Sequence, residues 1–446
     1  MKLSVSVLGR EVATLEPQGD FKSVMTYHPD AKPQDFVSLT MPVRTESYTW
    51  DDQLPPVLQM NLPEGYLLQV LQEQFGPHIT GSSIALLSVI GRNMVGRLQV
   101  ATPGAQLDRT VQTIELAHLL RGDNSEAAFA ELVKAHATSG VSGVVPKFLD
   151  AQESPATAAE GFKPHKKSSM ITRQHIIKGS NSHLPFVALN EHFCMQVASR
   201  VIPTATTQVS DDGHALVVHR FDVDANGQPL WGMEDFCSLM GLRPSAKYDT
   251  TWERVAKAVR DHVPAAERAA TFGQLASMLF LTYALRNADC HSKNLALRYT
   301  SYANVQLCPA YDMLTTSAYP AYKDNPPGLS FMGKKTWEPG KNLQKFVNVT
   351  FGVGVKEQSF MIEAICDAIA DVGHQVRETM ATNDAFRDVG KRMLLAWQEG
   401  VGSLRDRRMY ALGDWVAVDG FAEFSPPNKQ AAPRNKIGHS ELLGKR

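Results

Sequence analysis

The sequence predicts an α+β fold in which a mixed first half is followed by a mainly helical second half. Three observations predict it. Short alternating apolar runs separated by turn residues recur through residues 1–221, the pattern of strands and hairpins. From Thr251 onward apolar positions recur at helical spacing, over residues 252–263, 265–287, 357–381 and 383–404. A chain of 446 residues, 43% hydrophobic and 20% charged, is long and apolar enough for two or three domains with sizeable cores.

Composition excludes several classes. The formal net charge is −1, so no global field draws the chain to nucleic acid or to an anionic membrane; a local patch or a partner leaves DNA contact open. Cys194, Cys237, Cys290, Cys308 and Cys366 form no CxxC pair and are odd in number. They read as thiols in a reducing compartment, not as a disulfide framework or a zinc knuckle. Residues 1–9 lack the apolar core of a signal peptide. No apolar run approaches the roughly 18 residues of a transmembrane helix.

Taken in order, residues 3–7 and 12–15 are strand-like around the turn Leu8-Gly9-Arg10, a hairpin signal. Residues 37–43 read as a further strand. Asn61-Leu62-Pro63-Glu64-Gly65 leads into a short helix at 66–75, whose first turn suits Pro63 and Glu64. An apolar run at 84–89 is broken by Gly91-Arg92-Asn93, and 95–100 reads as a strand. This block ends near Thr102-Pro103-Gly104 and reads as a structural subdomain, 1–105, without chemistry of its own. Helices follow at 113–120 and 125–137, the second capped by Asn124 or Ser125.

Residues 138–147 bring Gly140 and Gly143 three apart, with Ser139, Ser142 and a following Lys147. Such a loop can bring backbone N–H groups close to phosphate. It lacks the GK[ST] of a Walker loop and the spacing of G-x-G-x-x-G, and on composition alone it reads as an ordinary Gly/Ser hairpin turn. Residues 151–167 read as an exposed loop. Residues 170–178 are strand-like and end in Lys178, which either pins phosphates from a cleft or is a solvated strand end. Residues 187–201 are helical. Strands at 205–209 and 215–221 flank the turn Asp211-Asp212-Gly213. Residues 328–335 miss the Walker pattern, since the final Ser/Thr is absent and no strand precedes them. Residues 425–446, with Pro426, Pro427 and Pro433, read as a flexible tail.

The chemistry concentrates where the apolar segment 272–285 ends. Asp289 is followed by His291, Ser292, Lys293 and Asn294, then by a strand-like run and Tyr311-Asp312. Phosphoryl transfer needs a carboxylate for the acceptor's proton, an amide oxygen for a metal, and a second carboxylate joining that metal to the phosphates. Asp289, Asn294 and Asp312 supply them in that order. On this segment alone Asp289 equally suits a turn residue bonded to backbone. His291 reads as a residue bonding the loop, Lys293 as a cation for γ-phosphoryl charge, and Cys290 as a buried thiol rather than a nucleophile.

The D-x-H-x-K-N run beginning at Asp289, followed by Tyr311-Asp312, resembles the HipA family of serine/threonine kinase toxins; its D-x-H-x-x-N part is also similar to the catalytic loop of phosphatidylinositol kinases. Further motifs resemble the HipA family in chain order. They are Leu62-Pro63-Glu64-Gly65 with the run from Leu86 to Gly96, the spacing Ser142-Gly143-x-x-x-Lys147, His175-Ile176-Ile177-Lys178, Arg220-Phe221-Asp222 and the segment from Met233 to Cys237. The resemblance covers roughly residues 1 to 420.

The resemblance implies a two-lobed kinase-like fold. Its mixed α/β N-lobe comprises an N-terminal subdomain, 1–105, and residues 106–234; a helical C-lobe spans 235–420, with a tail at 421–446. It implies ATP and Mg²⁺ as cofactors. The nucleotide is expected on Ser142, Gly143, Val144, Val145, Pro146 and Lys147, on Lys178, and on Glu234, Asp235 and Phe236, with the backbone of Glu234 and Phe236 meeting the adenine edge. His291, Ser292, Lys293, Asn294, Tyr311 and Asp312 complete the set, with the metal on Asn294 and Asp312 and Asp289 as the catalytic residue. Glu191 orients Lys178 or caps its helix, and Arg220 pairs with Asp222. Some members autophosphorylate a serine two positions before the counterpart of Ser142. Gly140 stands there, so Ser139 beside it is the remaining candidate. The implied function is a cytoplasmic toxin of a toxin–antitoxin pair. Its protein substrate is a translation factor such as an aminoacyl-tRNA synthetase. Its partner is a small HipB-like helix-turn-helix antitoxin, and DNA is met only through or beside that partner. Two other readings are a silent corepressor module, disfavoured by the retention of Asp289, Asn294, Asp312 and Lys178, and a lipid kinase, disfavoured by the lack of a basic membrane-facing run.

Overall fold

The computed structural model describes residues 1–413 except 20–21, 52–53, 64–67, 69–70, 74–75, 77–81, 106, 108–115, 142–167 and 407. Its first layer is an antiparallel sheet of β1 (Leu3–Val7), β2 (Arg10–Gln18), β3 (Lys22–Tyr27), β4 (Tyr48–Trp50) and β5 (Leu98–Ala101), ordered β4-β3-β2-β1-β5. The expected β1–β2 hairpin turns on Leu8 and Gly9, both at positive φ, as a two-residue turn matched to strand twist requires. Two helices accompany the sheet, α1 (Pro56–Gln59) and α2 (Ser83–Ile90). Ser82 caps α2 by accepting from Ala85 N–H at 3.2 Å. Leu3, Val5, Val12, Leu15, Val57, Leu87 and Val100 belong to one core of this block.

Residues 37–43 are not a strand. The Tyr27 hydroxyl accepts from Val37 N–H at 2.8 Å and donates to the Met41 carbonyl at 2.7 Å. Val37, Leu39 and Met41 are therefore buried in a turn, and the apolar alternation reflects burial without a ladder. Most of the helix expected at 66–75 lies outside the described residues. Next come α3 (Leu116–Arg121) and α4 (Glu126–Val141), so α4 continues through residues 138–141, where a loop was expected.

The second sheet contains β6 (Ser168–Ile171), β7 (His175–Gly179), β8 (Thr207–Val209) and β9 (Ala215–His219), ordered β6-β7-β9-β8 and antiparallel throughout. What reads as one strand at 170–178 is a hairpin, folded back where Thr172 N–H meets the His175 carbonyl at 2.8 Å. The helix α5 (Val187–Ser199) packs on β8 and β9. The Arg220–Asp222 pair forms as expected, with both side chains buried, and fastens three pieces of chain. Arg220 donates to the Thr172 and Met94 carbonyls, while Asp222 Oδ2 accepts from Gly96 N–H at 2.7 Å.

A third antiparallel sheet, β10 (Gly232–Asp235), β11 (Ala296–Ser301) and β12 (Asn304–Leu307), leads into the helical part. There α6 (Phe236–Leu239) is capped by the Asp235 side chain, which accepts from Ser238 N–H at 2.6 Å. It precedes α7 (Trp252–His262), α8 (Arg268–Ala284), α9 (Lys341–Phe351), α10 (Val355–Thr382) and α11 (Arg387–Leu404). The central helix is α8, which contacts α7, α9, α10 and α11, and every residue from Leu275 to Ala284 is buried. A helix apolar on all sides can only be satisfied by burial. Each of its large apolar side chains contributes roughly 2 kcal/mol. Among the described residues no helix is long and apolar enough to cross a membrane.

Candidate active site

The site forms where β7, α5 and the two loops flanking β11 and β12 converge. Lys178 lies inside β7, in register with Leu216 of β9 and Ser169 of β6, while its neighbour Ile177 is buried. The alternation of the strand sends Lys178 to the opposite face. There its Nζ donates to Glu191 Oε1 at 2.6 Å and to Asp312 Oδ1 at 2.8 Å. Lys178 is thus no solvated strand end. Glu191 is no cap either, since it lies on the buried side of α5 with its side chain 3% exposed. One ammonium serves two carboxylates in a setting of low dielectric, which makes the arrangement costly to break.

Asp312 is presented by a backbone at φ +55°, a conformation that non-glycine residues adopt rarely and mostly under constraint. The constraint is local. The Tyr311 hydroxyl, held protonated well above its ordinary range by burial, donates to the Lys293 carbonyl at 2.9 Å. The Asp312 segment is thereby tied to the loop carrying Asp289 and Asn294.

That loop leaves α8 through Arg286, also at positive φ, and ends where β11 begins. Ala288 N–H donates to Thr316 Oγ1 at 2.8 Å and Asp289 N–H to Asn287 Oδ1 at 3.0 Å. Asn294 Nδ2 donates back to the Asp289 carbonyl at 2.8 Å. This bond uses the amide nitrogen and turns the amide oxygen the other way. The Asp289 carboxylate accepts from the Tyr248 hydroxyl, and His291 Nε2 lies 3.6 Å from the same oxygen. Ser292 is fully buried and donates through N–H and Oγ to the Lys247 carbonyl, at 3.2 and 2.9 Å. His291 and Ser292 therefore scaffold the loop. Cys290 is buried too, and burial pushes its thiol up to about 12, which suits a packing role.

A cavity of about 380 Å³ is lined by Lys178, Met233, Asp235, Lys293, Tyr311 and Asp312, while Asp289 and Asn294 stand outside its lining. Its far wall comes from Leu62, Pro63, Ile90, Asn93 and Val95 of the first block. No residue pattern in that block signals chemistry, yet it encloses one side of the cavity. Only the run of residues from Leu86 to Gly96 hinted at this.

The expectation that Glu234 and Phe236 present backbone to a base needs correction. Phe236 N–H already donates to the Leu295 carbonyl at 3.0 Å, and Glu234 pairs with Leu297 in the same ladder. Antiparallel alternation turns the main-chain groups of Met233 and Asp235 the other way, and those two residues line the cavity. Glu234 instead points into the N-terminal block, entirely buried. Its carboxylate accepts from Ser38 Oγ, Leu39 N–H and the Tyr299 hydroxyl at 2.7–2.8 Å. Burial pushes it up from the usual carboxylate range. Ser142, Gly143, Val144, Val145, Pro146 and Lys147 lie outside the described residues. Ser139 falls in the last turn of α4.

Among the described residues no three His, Cys, Asp or Glu side chains cluster as metal ligands. The carboxylate of Asp312 and the amide oxygen of Asn294 are hard oxygen donors, the type that suits a divalent cation taking its other oxygens from phosphates and water.

Comparison with known proteins identifies two family domains. Residues 3–101 match the HipA N-terminal domain and residues 139–376 the HipA-like C-terminal domain. Two Sinorhizobium fredii proteins that carry kinase names are similar. Y4mE is 26% identical over 302 residues, covering 64% of this chain and 69% of that protein. Y4dM is 25% identical over 351 residues, covering 71% and 78%. Among solved structures, Shewanella oneidensis HipA, determined with HipB and its operator DNA, superposes with a TM-score of 0.63 at 16% identity, covering 91% of this chain and 99% of that one. That likeness bears on the fold alone.

Proposed function

The chain belongs to the HipA family, and from that premise we propose that it is an ATP-dependent protein serine/threonine kinase acting as the toxin of a toxin–antitoxin pair. The observation that carries the proposal is Lys178 bonded at once to Glu191 and Asp312. A strand lysine oriented by a helix carboxylate, beside an aspartate able to hold a metal, is the apparatus that positions a nucleotide triphosphate.

In this account ATP enters the cavity with its base towards Met233 and Asp235 and its phosphates towards Lys178. Asp312 and Asn294 would hold Mg²⁺, which when bound offsets charge on the phosphates. Asp289 orients the acceptor hydroxyl and takes its proton as the γ-phosphoryl group is transferred. Lys293, on the cavity wall, offsets the charge that develops on that group.

The acceptor is a serine or threonine of a protein of the translation machinery. The partner is a small HipB-like helix-turn-helix antitoxin, through which any contact with operator DNA is made in the cytoplasm. The test is to incubate the purified chain with γ-labelled ATP and either a cell lysate or phosphoinositide vesicles. Label in protein serine or threonine supports the proposal. Label in lipid, or in neither fraction, contradicts it.

A further inference from the structure

Asp289 is gripped from outside its own loop. The Tyr248 phenol donates to Asp289 Oδ1, and the Tyr248 ring meets the His291 imidazole edge-on with centroids 4.8 Å apart. The chain around Tyr248 is fastened on both sides. The Lys247 carbonyl takes two hydrogen bonds from Ser292, and the Tyr248 carbonyl accepts from Lys335 Nζ at 2.9 Å. Lys335 ends the 328–335 segment, which the mechanism above leaves unused. That segment lies against the loop at Gly328, where an added Cβ would press on the carbonyls of Cys290 and Ala288.

Tyr248 is 36% exposed, whereas His291 and Ser292 are buried. Its hydroxyl therefore reaches Asp289 at the rim of the site, and Tyr248 does not line the nucleotide cavity. An aspartate's terminal torsion is a broad rotor. A donor fixed on one carboxylate oxygen narrows that rotor and sets where the other oxygen faces.

We propose that Tyr248 is a positioning residue for phosphoryl transfer, holding the Asp289 carboxylate so that its second oxygen meets the acceptor hydroxyl. The proposal rests on the reading of Asp289 as the group that takes the acceptor's proton. Misorientation of a reacting group lowers turnover and spares binding elsewhere.

The test compares wild type, Tyr248→Phe, Lys335→Met and Asp289→Asn in steady-state kinetics with ATP and an acceptor protein. Tyr248→Phe keeps the ring against His291 and removes one oxygen. It is expected to lower kcat about 10-fold and to leave the KM for ATP within about two-fold. Lys335→Met is expected to act in the same direction, less strongly. Wild-type or raised kcat in Tyr248→Phe, or a rise in the KM for ATP to match a fall in kcat, overturns the positioning role. If Asp289→Asn is inactive while Tyr248→Phe is normal, only the positioning role falls. If Asp289→Asn turns over normally, the reading of Asp289 itself falls.

Discussion

Lys178 and Asp312 stand 134 residues apart in the chain, yet Nζ of one lies 2.8 Å from Oδ1 of the other. The contact joins the second sheet to the segment after β12 and brings the phosphate-binding and metal-binding candidates to one point. Glu191, on the far side of the ammonium, is nearly inaccessible to water. Replacing Lys178 by Ala leaves two neighbouring carboxylates without their cation. Unfolding in denaturant should show a loss of roughly 3 kcal/mol, the usual cost of breaking a buried pair from one side. The rise in melting temperature that Mg-ATP gives the wild type should disappear. A variant still stabilised by Mg-ATP to the wild-type extent would remove Lys178 from the phosphates.

Glu234 makes a pH-dependent contribution whose sign is fixed. Its carboxyl titrates above its ordinary value of 4.5 in the folded protein because it is buried. Below 4.5 it is protonated in both states. As pH rises through 4.5 towards the raised folded value, the unfolded chain ionises first and folding loses stability. Glu234→Gln cannot ionise and escapes that loss. The melting temperature of wild type minus that of Glu234→Gln should therefore fall as pH increases from about 4 to 7. A difference that is flat or rising would show that Ser38, Leu39 and Tyr299 hold the ionised form instead.

Gly328 tests how closely the loop is buttressed. An added Cβ would lie 2.9 Å from the Ala288 carbonyl and closer still to that of Cys290, on the two sides of Asp289. Backbone must move to admit it. Gly328→Ala should cost about 1–3 kcal/mol of stability and on the order of 100-fold in turnover. Wild-type turnover in a folded Gly328→Ala protein would mean that the loop tolerates displacement.

The candidate side chains could be picked out in the sequence because the chemistry proposed for them restricts both type and spacing. Asp289, Asn294 and Asp312 follow the order a phosphoryl-transfer site needs, and Lys178 ends a β-rich run. Their contacts were less legible. Alternation along β10 cannot reveal which strand edge is covered; the resemblance implies a base contact through Glu234 and Phe236, whereas Met233 and Asp235 line the cavity. The burial of Glu234 depends on Ser38, Leu39 and Tyr299, far away in sequence. Residues 37–43 show a strand's alternation because Val37, Leu39 and Met41 are all buried, but the Tyr27 hydroxyl closes them into a turn. The contact between Tyr248 and Asp289, 41 residues apart, follows only from where the chain brings the two together.

Phosphate transfer by wild type and by Asp289→Asn, each saturated with Mg²⁺ and γ-labelled ATP, tests the central claim most directly. The change replaces one oxygen by an amide nitrogen and leaves the Asn294 bond to the residue 289 carbonyl intact. The account predicts label on a protein serine or threonine with wild type. With the variant it predicts a loss of at least about 100-fold, while Mg-ATP still raises the melting temperature. Equal labelling by the two proteins would contradict it.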